Sequence, residues 1–325
     1  MRGRASRIAL LSMVVSAAVA CGSRTGLFLD QDEFGPNPID GGPVTDSGRR
    51  DGGRDVAEIE DAPPPLDVTP PQDVNRIDCA EAGTTYVYLI SNSYQLYSFD
   101  PSTNATKFIG NIACSGAGNA DTPFSMAVDR KGVAYILFTD ERLYRVSTLN
   151  AACLSTNYVP RQSNFGLFGM GFVFNDDGTG TGPTEHLYVS GDRRNNSASG
   201  IARIDVTNFK LTPVGDPNIE HAELTGTGAG ALYAFYKRSL NSPPSYIGQL
   251  DTKDGHVSGE KQLDTIDQGQ GWAFAFWGGD FYMFHAPNGS SVVTRWRPSD
   301  DTVTQVATLP SVIVGAGVST CAPQE

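Results

Sequence analysis

Three observations predict an all-β fold for this chain, a five-bladed β-propeller whose C-terminal strand closes the first blade. Charged residues are only 18% of the 325, while Gly (36) and Pro (20) are plentiful, a balance that suits many short strands joined by tight turns. A strand-turn-strand unit returns five times at a period near 46 residues. After the last unit stands one further strand-like segment, GAGV at 315, of a kind that the first unit lacks.

The chain opens MRGRASRIALLSMVVSAAVA. Arg2, Arg4 and Arg7 precede an apolar run from Ile8 to Val15 that ends in small residues, the layout of a secretion signal and too short to cross a bilayer comfortably. The junction Ala18-Val19-Ala20-Cys21 is similar to a bacterial lipobox, although Ala18 stands where Leu is commonest. That resemblance implies a lipid-modified Cys21 at a new N-terminus. With Gly22 rather than Asp behind it, it also implies export to the outer membrane, on its periplasmic or surface face. Ordinary cleavage that leaves Cys21 a free thiol is the alternative.

Residues 21–78 read as a tether. They contain GGPVTDSGRRDGG and DAPPPLDVTPPQD, show almost no apolar periodicity, and bury too little to offset the entropy of ordering. A flexible coil of this length reaches roughly 40 Å. Its acidic runs match no EF-hand spacing and read as a solvated spacer.

Residues 79–325 form the propeller. The hairpin units begin LYSF at 96, LYRV at 143, IARI at 201, IGQL at 247 and VTRW at 293. Phe99, Val146, Ile204, Leu250 and Trp296 are thereby separated by 47, 58, 46 and 46 residues. The long interval is assigned to an exposed hairpin tip at Asn175–Glu185. Ahead of each hairpin a strand carries Tyr in register: Tyr88, Tyr135, Tyr188, Tyr233 and Tyr282. Earlier still comes a strand centred on Ala127, Gly171, Gly226, Ala275 or Gly317, small side chains that suit the crowded axis of a ring. A period of 40–50 residues with about four strands per unit is the mark of a propeller blade. Placing GAGV in the first blade completes five and removes two exposed sheet edges.

Apart from Cys21, four cysteines remain, which allow three pairings. Cys79 stands before the first blade and Cys321 after the returning strand, so their pairing would pin the closure; Cys114 and Cys153 would then join blades one and two. In the chain-entropy model so long a loop contributes at most about 5 kcal/mol.

The segment PFSMAVDRKGVAYILFTDERLYRVS, 123–147, resembles the NHL-type propeller repeat. The leader, tether and body together are similar to predicted bacterial lipoproteins with Asp/Gly/Pro-rich tethers, a resemblance that implies no activity.

A net charge of −12 argues against nucleic acid as a partner. No G-x-S-x-G, P-loop, HExxH or CxxC motif occurs. Loops beside the inner strands offer Asp129, His221, Glu223 and Asp280 as candidate ligands for a divalent cation such as Ca²⁺, as in the lactonase-type propellers, and His221-x-Glu223 on a strand would share a face. No other cofactor is predicted. The aromatic stretch 271–285 reads chiefly as blade core, with a stacking platform for sugar or peptide as the other use. The expected function is a non-catalytic binding or scaffold propeller, held to the membrane by its lipid and engaging a protein or glycan. A metal-assisted hydrolase or lactonase with its site at the central channel is the alternative, and a purely structural envelope protein a third.

Overall fold

The computed structural model describes residues 79, 86–114, 121–175, 183–192, 198–239 and 243–325; the expected leader 1–20, Cys21 and the tether 22–78 lie outside the described residues. Among the described residues twenty strands form five antiparallel four-stranded sheets. Blade one contains β1 (Val87–Ser91), β2 (Gln95–Asp100) and β3 (Ala105–Asn111), and blade two β4 (Pro123–Val128), β5 (Val133–Phe138), β6 (Leu143–Ser147) and β7 (Cys153–Ser155). Blade three comprises β8 (Phe168–Asn175), β9 (Thr184–Gly191), β10 (Gly200–Asp205) and β11 (Lys210–Gly215). Blade four comprises β12 (Glu220–Gly226), β13 (Leu232–Lys237), β14 (Ser245–Leu250) and β15 (Val257–Leu263). Blade five comprises β16 (Trp272–Trp277), β17 (Asp280–His285), β18 (Ser291–Arg297) and β19 (Thr302–Leu309). The last strand, β20 (Ile313–Val318), returns to blade one as its innermost strand, with Val318 opposite Val87 and Ala316 opposite Leu89. The inner strands pack in the order β20, β4, β8, β12, β16 and back to β20. The molecule is a five-bladed β-propeller, closed as the repeat predicts.

Packing explains both recurrent residue types. In four blades the Tyr lies directly opposite the small inner-strand residue: Tyr88 faces Gly317, Tyr135 faces Ala127, Tyr188 faces Gly171 and Tyr282 faces Ala275. Blade four departs from the sequence reading, since Thr225 faces Tyr233 and Gly226 faces Leu232. Each ring then enters the seam with the next blade. Tyr135 packs among Phe168, Met170 and Phe172, for example, while Tyr282 joins Val87, Leu89 and Phe99 across the closing seam. Five such apolar seams constitute the core.

The inner strands approach backbone to backbone. A Cβ added to Gly226 would lie 2.0 Å from the carbonyl oxygen of Phe172, and one on Gly317 would lie 2.8 Å from the amide nitrogen of Val128. Neither neighbour can swing aside, so small residues here are a steric requirement. Both expected disulfides are present: Cys79–Cys321 spans 242 residues at the closure, and Cys114–Cys153 joins the chain just past β3 to β7.

The 58-residue interval is not taken up by one connection alone, and of the residues assigned to the tip 176–182 lie outside the described residues. Residues 176–183 join β8 to β9 and residues 192–199 join β9 to β10, where blade two uses only 129–132 and 139–142. Glu185, expected at the tip, belongs to β9.

Replacing Gly226 with Val should therefore destabilise the full chain by about 3 kcal/mol, near the upper end for overpacking, read from urea unfolding by circular dichroism. Lys107→Ala on the exposed strand β3 should stay within about 0.5 kcal/mol of the parent. Equal losses in the two variants would contradict the backbone contact.

Candidate functional site

Because Gly169 and Gly171 meet Ala222 and Leu224 in turn, and Gly315 and Gly317 meet Met126 and Val128, the inner strands run in one direction. The ring thus has two different rims, one where these strands begin and one where they end.

At the first rim β12 slips register between Glu220 and Glu223, a bulge that breaks the strict alternation expected for His221 and Glu223. His221 has φ 49°, in the left-handed region that side-chain-bearing residues seldom adopt. Two contacts hold it there. Its ring stacks on Trp272 with centroids 4.9 Å apart and planes 12° from parallel, and its carbonyl accepts a hydrogen bond from Gln268 Nε2 at 3.1 Å. Glu223 is 2% exposed, and its Oε2 accepts a hydrogen bond from Ser125 Oγ at 2.8 Å, joining β12 to the non-adjacent inner strand β4. A cavity of about 230 Å³ opens beside it, lined by Glu223, Trp272, Gln270, Asn92, Thr122 and Thr139 among others.

At the second rim Asp129 follows β4 and fastens the turn to β5, its Oδ1 accepting from the amides of Lys131 at 3.0 Å and Val133 at 2.8 Å. The carboxyl of Glu185 sits against this turn. Its Oε2 accepts from the amide of Arg130 at 2.8 Å, and its Oε1 accepts from the Thr320 hydroxyl at 2.7 Å. Burial, reinforced by the nearby charge of Asp129, pushes the Glu185 carboxyl up to about 8, so near neutral pH it is mostly protonated. Although Glu185 as a residue is only part-buried, its carboxyl is enclosed by protein. Arg130 is 5% exposed; it donates to Thr320 Oγ1 and to Cys79 Sγ, both at 3.2 Å, with its guanidinium 4.2 Å from the ring centre of Phe174. These contacts tie blades two and three to the segment after β20 and to the closing disulfide.

With Asp129, Arg130 and Glu185 in its wall, the seam between blades two and three widens into a cleft of about 760 Å³. Phe172, Phe174 and Phe209 supply aromatic surface, and Lys131, Arg145 and Tyr135 line it from blade two. Tyr135 and Arg145 are cross-strand neighbours on β5 and β6.

The four expected cation ligands are not brought together. Asp129 lies at the second rim and His221 and Glu223 at the first, while Asp280 is engaged by Arg297 at 3.3 Å and Arg295 at 3.6 Å. Among the described residues no three His, Cys, Asp or Glu side chains gather around a point that would hold a metal ion. His285 is also committed: its two ring nitrogens lie 3.0 Å from the Asp267 carbonyl oxygen and 3.0 Å from Thr294 Oγ1, and burial lowers its pKa.

Sequence reasoning missed Arg130, Arg145 and Glu185. A signal for Arg145 was available, since the residues opposite the recurring Tyr on each third strand are Ser98, Arg145, Arg203, Gln249 and Arg295. Three of those five are Arg. Nothing local marks Glu185, because its partners come from other blades.

No family model matches the chain, and no curated protein matches it in sequence. Solved propellers match its fold. A chain of a nidogen/laminin complex is 11% identical with a TM-score of 0.46, over 71% of this chain and 97% of that one. A PQQ-bound aldose sugar dehydrogenase from Streptomyces coelicolor is 11% identical with a TM-score of 0.39, over 73% of this chain and 82% of that one. TolB from Acinetobacter baumannii is 14% identical with a TM-score of 0.39, over 70% of this chain and 53% of its own. These likenesses concern the fold alone.

The Glu185 carboxyl gives stability a signed pH dependence. Between its ordinary value of 4.5 and about 8 the unfolded chain has released this proton and the folded chain keeps it, so its contribution to stability is lost as pH rises through that window. Glu185→Gln should flatten the fall in urea midpoint across this range. Identical slopes in parent and variant would refute the buried, protonated state.

Proposed function

We propose that this chain is an exported lipoprotein, anchored through Cys21 at the outer membrane, whose tether 22–78 presents the propeller as a non-catalytic binding module. The observation that supports the reading most directly is the cleft between blades two and three. It is concave, of the size range typical of ligand pockets, and built on rigid sheets. Aromatic surface from Phe174 and Phe209 meets the cationic groups of Lys131, Arg130 and Arg145, beside the carboxyls of Asp129 and Glu185. That combination suits a partner protein segment in which carboxylates sit beside apolar side chains. Lys131 can pair a carboxylate, and the rings take the apolar part.

The rival hydrolase reading asks for carboxylates gathered at the channel around a metal. Asp129, Glu223 and Asp280 are held in separate places by separate partners, so their placement lends it no support.

One experiment in intact cells tests anchor and cleft together. A photo-crosslinking amino acid at Thr207, an exposed residue of the cleft, should trap an envelope protein in the membrane fraction. Arg145→Glu should abolish the adduct, and Cys21→Ser should move the protein out of the membrane fraction. An adduct that survives Arg145→Glu, or that forms equally from Thr304 on blade five, would overturn the cleft. Retention of acylated protein after Cys21→Ser would overturn the anchor.

A further inference from the structure

We propose that the channel mouth at the first rim is a second binding site, whose ligand is one neutral sugar ring. This site lies on the opposite rim from the cleft, shares none of its residues, and does not depend on the function proposed for it.

Size limits the candidates first. A cavity of about 230 Å³ corresponds to seven or eight waters at about 30 Å³ each, enough for a single ring and too little for a folded peptide. Chemistry narrows them further. The lining combines two aromatic side chains, Trp272 and Phe124, with one carboxylate, Glu223, and the neutral polar groups of Gln270, Asn92, Thr122 and Thr139. A cation would want several hard oxygen ligands of which more than one is charged, and this lining offers a single carboxylate. An anion would meet Glu223 with no Lys or Arg in the lining to offset it. A polyol fits both features. Its hydroxyls donate to the carboxylate, which only accepts, and exchange bonds with amides and hydroxyls, which do both. The C–H face of the ring packs on the indole, whose body is apolar.

Local backbone geometry indicates that this arrangement is built rather than incidental. The polar side chains arrive from blades one, two, four and five, so only the closed ring assembles them. Glu223 is carried to the mouth by a strand with a bulge, and the neighbouring His221 is held at φ 49° by Trp272 and by Gln268, which is itself fully buried. Bulges next to binding sites commonly re-aim a side chain, and strained residues persist where surrounding contacts fix them. Burying a carboxylate is costly unless it is hydrogen-bonded. Ser125 donates to it at 2.8 Å, so the carboxylate is fixed in place beside the cavity.

The test is a titration of the full chain, in detergent, with D-glucose, D-galactose and N-acetyl-D-glucosamine. Saturation-transfer NMR reports binding, and a tryptophan fluorescence change that is lost in Trp272→Phe reports proximity to Trp272 rather than to Trp277 or Trp296. At least one sugar should saturate in the millimolar range with a fluorescence change. Gln270→Ala, a change at an exposed position, should weaken it at least fivefold, and Glu223→Gln should weaken it more. Arg145→Glu on the other rim should leave it unchanged. No saturable transfer from any of the three sugars up to about 50 mM would overturn the proposal, as would binding equally tight in Gln270→Ala. Should Glu223→Gln fail to fold, Gln270→Ala carries the comparison alone.

Discussion

Everything in this molecule depends on how closely five inner strands approach one another around the axis. At Gly169, Gly171, Gly226, Gly315 and Gly317 an added Cβ would collide with the neighbouring strand's backbone, so the small residues fix the diameter of the ring. With the strands that near, the bulky side chains of the second strands are forced outward into the seams. There the recurring Tyr residues become the mortar between blades. The ring is cohesive only when every seam is filled, and the closing seam depends on β20, which arrives from the far end of the chain. Cys79–Cys321 then holds that end in place; in the chain-entropy model a closed loop of this length contributes at most about 5 kcal/mol.

The same closure determines the chemistry. Arg130 reaches Thr320 and Cys79, and Glu185 reaches Thr320, so the cluster beside the large cleft exists only after the last strand has docked. At the opposite rim Glu223 bonds to Ser125 of a non-adjacent blade, and the residues around it come from four of the five. The first-rim lining therefore comes together only in the closed ring, whereas the large cleft is lined by blades two and three alone.

Fold and site were legible in the sequence to different degrees, for a physical reason. A blade is a local unit, so its period, its Tyr and its small inner residue recur at fixed spacing and can be read directly. The closing strand was legible too, as a segment without a hairpin after it. Register was harder: Gly226 is the small residue on β12, yet the ladder sets Thr225 opposite Tyr233. The long interval looked like one exposed tip, but extra residues are shared between two turns, and Glu185 turns its carboxyl inward. Asp129 and Asp280 were expected as cation ligands from their places beside the inner strands. What each one bonds to was illegible, because Lys131 and Val133 claim Asp129 locally while Arg295 and Arg297 claim Asp280 from the next strand.

The central claim is that the C-terminal strand closes the ring and is fixed there by Cys79. Peptide mapping of the purified protein by mass spectrometry without reduction tests it most directly. The account predicts that peptides containing Cys79 and Cys321 are linked, and likewise those containing Cys114 and Cys153. A link between Cys79 and Cys114 would contradict it, since the segment before the first blade would then be tied beside the outer strand and the ring would lack its fastening.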